Sequence, residues 1–370
     1  MTSTAANPRD ATRAPAEGGS SHPSPSDPVS MLEQWGPGAP SAEPVPIQRA
    51  FELCHALAGG HYENFSVLSA LVPSGLRDDF AAVYAFCRWA DDLADETHRL
   101  VSPPAQSSTE APTSSQALAR TRALELLGWW REGLKRCLEG NAEHPVYVAL
   151  AETIRRRRLR PEPFHDLIDA FEKDQRVAAY ANWSDLTEYC RQSAEPVGRL
   201  VLMLTGHRPP DEDQTTREIY RQSDLTCTAL QLTNFWQDVR TDAFTRGRVY
   251  MPTDDTGLTL DDLKQMADRD EPADRVRFIT SLRPLAERTR TMFEDARDLP
   301  RLVNPAAAPM VWLFAAGGRR VLRKVMARGC TSLWHRPRLS KAEKAGLVGV
   351  AWARARTASM SASKLKAARP

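Results

Sequence analysis

Residues 84–95 read Tyr84-Ala-Phe-Cys-Arg-Trp-Ala-Asp-Asp-Leu-Ala-Asp95. Placed on a helix at about 100° per residue, Tyr84, Arg88, Asp91 and Asp95 fall on one narrow stripe, and Asp92 lies off it. Asp91 and Asp95 are four residues apart, so their carboxylates are neighbours on one face. Such neighbours repel unless a cation sits between them. The flanking Phe86, Trp89, Ala90, Leu93 and Ala94 are more apolar than a solvated helix requires. The bland alternative is an acidic helix end salt-bridged by Arg88.

A second stretch, Leu230-Gln-Leu-Thr-Asn-Phe-Trp-Gln-Asp-Val-Arg-Thr-Asp242, repeats the arrangement. Gln231, Asn234, Asp238 and Asp242 share a stripe there, and Asp238 and Asp242 have the spacing of Asp91 and Asp95. Polar side chains on an otherwise apolar helix are costly without partners. Mg²⁺ prefers oxygen ligands, typically one or two carboxylates plus substrate phosphates and water. Two carboxylate pairs facing each other across a helical cavity therefore suit Mg²⁺ ions gripping a diphosphate leaving group. A di-iron bundle would need Glu-x-x-His on two helices. Glu162 to His165 is the single plausible instance, and Pro163 interrupts it. No Walker loop, Gly-x-Ser-x-Gly or dinucleotide glycine fingerprint is present.

Outward from these motifs the pattern stays helical. Apolar residues recur at three-and-four spacing over 48–58, 76–95, 118–139, 185–204, 217–240, 272–299 and 306–328, with no convincing alternating strands. An all-α domain over 45–350 follows. Residues 1–44 hold eight of the 27 prolines and are expected to lack structure. Residues 102–116 read as a polar excursion between helices. After Glu343 the chain has no acids but keeps Lys344, Arg354, Arg356, Lys364, Lys366 and Arg369, so 351–370 form a basic tail.

The 370 residues carry a net charge of only +2, which argues against a nucleic-acid binder. Six scattered cysteines form no Cys-x-x-Cys pair, which speaks against zinc and fits a reducing cytoplasm. No apolar run approaches the roughly 20 residues needed to span a bilayer, so a soluble or peripheral protein is expected. The run Arg155–Arg158 with Arg160 reads as a solvated helix face, or, with the tail, as a contact for anionic lipid.

At the two acidic motifs the chain resembles the squalene/phytoene synthase family, over about residues 47 to 345. His61-Tyr-Glu-Asn-Phe65, Tyr189-Cys-Arg-Gln-Ser-Ala194 and Asn234-Phe-Trp-Gln-Asp238 are most similar to the hydroxysqualene synthases of bacterial hopanoid pathways. The resemblance implies an isoprenoid synthase (terpenoid synthase) helical bundle around a central cavity. It implies conversion of presqualene diphosphate and water to hydroxysqualene, in the cytoplasm or at the inner face of its membrane, with possible association with other squalene-pathway enzymes. Carried over by position, Asp91, Asp95, Asp238 and Asp242 should bind Mg²⁺. Arg88 and Arg248 should meet the diphosphate, and Tyr84, Tyr189, Gln231, Asn234 and Tyr250 should line the site. The segment Phe171-Glu-Lys-Asp-Gln175 resembles another polar stretch of the family, with a plain surface acid as the alternative reading of Asp174.

The chain departs from condensing members at Tyr62, Glu63 and Gln237, where those have Ser, Lys and Arg. Losing these cations favours a step that uses one diphosphate. Glu195 stands where relatives often have Gly or Asn. The rivals are a head-to-head condensing enzyme making squalene or phytoene, and a non-catalytic assembly factor. Intact Asp91, Asp95, Asp238 and Asp242 argue against the latter.

Overall fold

The computed structural model describes residues 27–39, 43–60, 71–100, 112–209 and 213–367. Twelve helices carry the fold among them: α1 Ile47–Gly60, α2 Arg77–Asp95, α3 Pro112–Leu138, α4 Pro145–Arg157, α5 Glu162–Asp174, α6 Trp183–Ser193, α7 Glu195–Leu204, α8 Gln214–Thr241, α9 Leu260–Arg269, α10 Pro272–Asp295, α11 Ala308–Ala327 and α12 Lys341–Ala367. Short helical turns join several of them. Extended pairing is limited, among the described residues, to one isolated bridge between Ala179 and Val249. The all-α expectation holds.

Two helices organise the core. The acidic helix α2 packs against α1, α3, α4, α5 and α7. Phe86, Trp89, Trp130, Tyr147 and Phe164 are wholly buried in the cluster they form. The second acidic helix, α8, packs on α6, α7, α10 and α11 over a separate cluster containing Tyr189, Phe235, Trp236, Tyr250 and Phe278. Each helix thus turns one face to its own apolar cluster and another to the space between the two halves. The periodicity over 185–204 is divided: the helix breaks at Ala194 (φ −123°, ψ −47°), and α7 restarts with Pro196 in its first turn. Proline has no N–H to continue the preceding ladder.

Three sequence expectations change. Residues 27–39 are placed on the core, with Val29 and Met31 buried and Asp27 paired to Arg99 at 2.7 Å. Structure therefore begins earlier than residue 44, because two apolar side chains there find a hydrophobic seat. The polar stretch 102–116 is interrupted by the start of α3 at Pro112, and 101–111 lie outside the described residues. The arginine run is exposed at Arg155, Arg156, Arg158 and Arg160, as expected, but it also has a structural role. Arg156 and Arg157 clamp the fully buried Asp79 at 2.6 and 2.7 Å, while Arg155 pairs with Glu152. Losing Asp79 would leave two arginines without their shared acid, whereas losing one arginine leaves the other on Asp79.

The basic tail continues α12 to Ala367. All six cysteines are free, four of them buried. Among the described residues, no helix is long and apolar enough to cross a membrane.

Candidate active site

Arg88 is the first side chain of α2 to reach the site. It holds Asp92 at 2.5 Å and Asp91 at 3.4 Å. Asp92, off the acidic stripe, is almost wholly buried and is the stronger anchor. Asp91 keeps 47% of its side-chain surface accessible although protein atoms surround it, as expected on the wall of a concavity. Burial, with Asp95 beside it, pushes its carboxyl up to about 6. Tyr84, one turn before Arg88, is half-buried.

The second motif arrives by a break in regularity. Within α8, Asp238 leaves helical geometry (φ −107°, ψ 16°), and a π-turn follows over Asp242–Arg246. Gly247 then takes φ +63°, a conformation glycine adopts at little cost, and Arg248 N–H closes the turn onto Asp242 O at 2.9 Å. The chain doubles back, so Arg246, Arg248 and Tyr250 all return to the acids. Beyond this kink Asp242 is buried, whereas Asn234, in the regular helix before it, is exposed.

Arg246 joins the two motifs. Its guanidinium lies 3.2 Å from Asp95 and 3.1 Å from Asp242. Burial alone would depress Arg246, but Asp95 and Asp242 outweigh it and keep the group charged. Arg248 sits 3.6 Å from both Asp95 and Asp174. Asp174 is no surface acid: it is enclosed by the fold, accepts the Tyr189 hydroxyl at 2.8 Å, and is raised by burial to about 6. Its burial depends on α6 and the returning chain, which the local sequence does not show. Asp242 is likewise raised to about 7, by burial and then by Asp238 against the opposing pull of Arg246.

Asp238 is gripped by Arg336 through both Nε and Nη2, the latter at 2.9 Å. Gln237 donates to Pro337 O and so helps hold that loop against α8. The cation missing at position 237 is thus supplied from 98 residues further along the chain. That compensation removes part of the reasoning for a single diphosphate. His61–Phe65, including Tyr62, Glu63 and Asn64, lies outside the described residues.

Beneath the acids lies an aromatic stack. Phe235 and Tyr250 are parallel with centroids 3.8 Å apart, and Tyr189 and Tyr180 extend the layer. One face of α8 also borders an apolar cavity of about 210 Å³, lined by Gly198, Leu230, Gln231, Val311 and Phe314 among others. Gly198 is needed there: a Cβ would come within 2.6 Å of Cys227 Sγ and Ser223 Oγ. Glu195 does not line this cavity. It pairs with Arg199 at 3.0 Å and accepts from Thr228 at 3.2 Å, tying α7 to α8.

Donor chemistry fits divalent magnesium. Six carboxylates (Asp91, Asp92, Asp95, Asp174, Asp238, Asp242) meet four guanidinium groups. Asp174 Oδ1 and Asp92 Oδ2 are buried without a hydrogen-bond partner. Among the described residues no three acids, histidines or cysteines form a ready-made cage. Mg²⁺ does not require one when phosphate and water complete its shell.

Two acidic helices linked by Arg246 in an all-α bundle are the frame of an isoprenoid synthase. The profile of the squalene/phytoene synthase family matches residues 58–343, and the chain belongs to that family, whose enzymes condense prenyl diphosphates head to head. It is 33% identical to a hydroxysqualene synthase of Rhodopseudomonas palustris over 270 residues, 72% of this chain and 80% of that one. A phytoene synthase of Arthrospira platensis is 31% identical over 221 residues, covering 58% of this chain and 65% of its own length. The crystal structure of squalene synthase HpnC from Alicyclobacillus acidocaldarius superposes with a TM-score of 0.60 at 36% identity, covering 77% of this chain and 97% of that one.

Proposed function

We propose that this chain is a Mg²⁺-dependent hydroxysqualene synthase, converting presqualene diphosphate and water to hydroxysqualene and diphosphate. The observation that carries the reading is the Arg246 bridge between Asp95 and Asp242, which draws both acidic motifs onto one site. The 33% identity to a hydroxysqualene synthase supports the choice of reaction. Mg²⁺ held by Asp91, Asp95, Asp238 and Asp242 would neutralise charge building on the departing diphosphate. Arg246 and Arg248, released from their carboxylates, can follow that charge; Arg88 stays anchored by Asp92. Tyr84, Asn234, Tyr189, Gln231 and Tyr250 are proposed to line the substrate. Capture of the resulting cation by one water would give the product hydroxyl.

Head-to-head condensation, giving squalene or phytoene, is the second reading, and Arg336 on Asp238 favours it by restoring a cation to the second motif. Peripheral contact with anionic membrane and association with squalene-pathway enzymes belong to the same proposal, since the product is insoluble in water. Incubation with Mg²⁺ and either presqualene or farnesyl diphosphate separates the readings. Presqualene diphosphate should be consumed much faster, with label from ¹⁸O-water in the product hydroxyl. Efficient conversion of farnesyl diphosphate alone to a hydrocarbon would replace the first reading with the second.

A further inference from the structure

On the far side of the apolar cavity's wall lies a cleft of about 480 Å³ of opposite character. The wall is shared: Leu299 and Val311 face the cavity, while their neighbours Pro300 and Trp312 face the cleft. Arg297, Arg301, Arg319 and Arg354 line the cleft against a single acid, Asp298. Asp298 is taken by Arg301 at 3.0 Å and Arg297 at 3.8 Å. Arg354 lies over the Trp312 ring, 4.7 Å from its centroid. Arg319 donates to Ala315 O at 3.2 Å. Neither Arg319 nor Arg354 has an acidic partner among the described residues.

Arg319 is half-buried, and burial followed by the nearby Arg323 lowers its pKa. A partly desolvated cation without a counter-charge is costly, and an anion in the cleft relieves that cost. Guanidinium groups are suited to phosphate oxygens. A second observation indicates which phosphate. Phe314 and Val197, at the cavity, are 39% and 45% exposed, and Val350, one turn before Arg354 on α12, is 46% exposed. A site for a soluble phosphate has no use for apolar side chains in water around it. A bilayer interface accommodates both, with aromatic rings at headgroup level and cations on the phosphates.

We propose that the arginine cleft binds the phosphate of an anionic phospholipid headgroup, bedding α11 and α12 on a bilayer beside the apolar cavity. This rests on the peripheral-membrane part of the functional reading and assigns it to particular residues. The lipid-facing surface is then the strip of α11 between cleft and cavity, and the acid-free stretch after Glu343 adds attraction.

The full chain is sedimented with vesicles of phosphatidylglycerol and phosphatidylcholine, or of phosphatidylcholine alone. Wild type should bind the first and not the second, and release as salt rises. Arg319→Gln/Arg354→Gln should bind about tenfold more weakly or worse. Arg49→Gln/Arg122→Gln, removing equal charge outside the cleft, should stay within about twofold of wild type. Thermal melting verifies that the cleft variant is folded; loss of an unbalanced cation should leave its Tm level or higher. A wild type indifferent to both vesicles sinks the membrane reading itself. Equal binding by wild type and cleft variant overturns the cleft assignment while leaving peripheral contact standing. Stabilisation by inorganic phosphate without vesicle binding would mark a small-anion site and overturn the lipid assignment.

Discussion

The tryptophan cluster under α2 and the tyrosine stack under α8 are both aromatic and both buried, and they differ in where their polar atoms go. Around Trp89 and Trp130 the rings lie parallel, 5.2 Å apart, and His144 packs edge-on to both. Trp89 Nε1, Trp130 Nε1 and His144 Nε2 find no hydrogen-bond partner. That region gives up weak donors for shape. Around Tyr189 and Tyr250 the rings stack as closely, but the Tyr189 hydroxyl reaches Asp174, and Asp174 in turn faces Arg248. There, packing ties a phenol to an acid and an arginine, although the Tyr180 hydroxyl and Asp174 Oδ1 stay without a hydrogen-bond partner. The same kind of ring serves cohesion in one half and placement of charge in the other.

Asp91→Asn breaks the comparison on the side of charge. Turnover should fall on the order of 10²–10³-fold, the scale for losing one preorganised electrostatic contact. Removing an acid repelled by Asp95 should leave Tm unchanged or raised. Steady-state kinetics at saturating Mg²⁺ and a melting curve verify both; near wild-type turnover would end the metal-site reading. Trp130→Ala breaks it on the side of cohesion. It should cost about 3–5 kcal/mol of stability while the folded fraction keeps its kcat, measured by denaturant unfolding and assays at low temperature.

His144→Asn sharpens the comparison with a smaller effect. Burial lowers the His144 pKa to about 3, from an ordinary value of 6.5. The folded protein therefore stays neutral there while the unfolded chain takes a proton. Wild type should lose about 1.4 kcal/mol per pH unit as pH falls below 6.5, and nothing from this group above it. Asparagine keeps an acceptor for the Val146 N–H that His144 Nδ1 now receives at 3.2 Å, but it cannot titrate. Between pH 6.5 and about 5 the variant's stability should fall less steeply than that of wild type. Parallel slopes would mean that the ring is not held neutral.

The helical class and both acidic motifs were legible because apolar spacing and paired aspartates are local signals. Arg248, Tyr189 and Tyr250 were placed by resemblance, and the structure brings all three to the acids. Other parts needed tertiary structure. Arg246 sits in a π-turn with no periodicity to mark it. Arg336 reaches Asp238 across 98 residues. Asp174 is enclosed only when α6 and the returning chain close on α5. Asp92 was set aside because it left the stripe, yet leaving the stripe is what buries it against Arg88. The kink at Asp238 marks where a regular projection of the second motif ends.

Gly198 has a consequence for lineage. Every glycine codon lies one nucleotide from an alanine codon, so the smallest mutational step available at this position adds a methyl where Cys227 and Ser223 leave no space. An added methyl there would press on the cavity wall without touching an aspartate or an arginine. Compensation would have to come from Cys227 or Ser223, and a shrinkage of either would make the step nearly silent. Drift at these three sites should consequently be correlated.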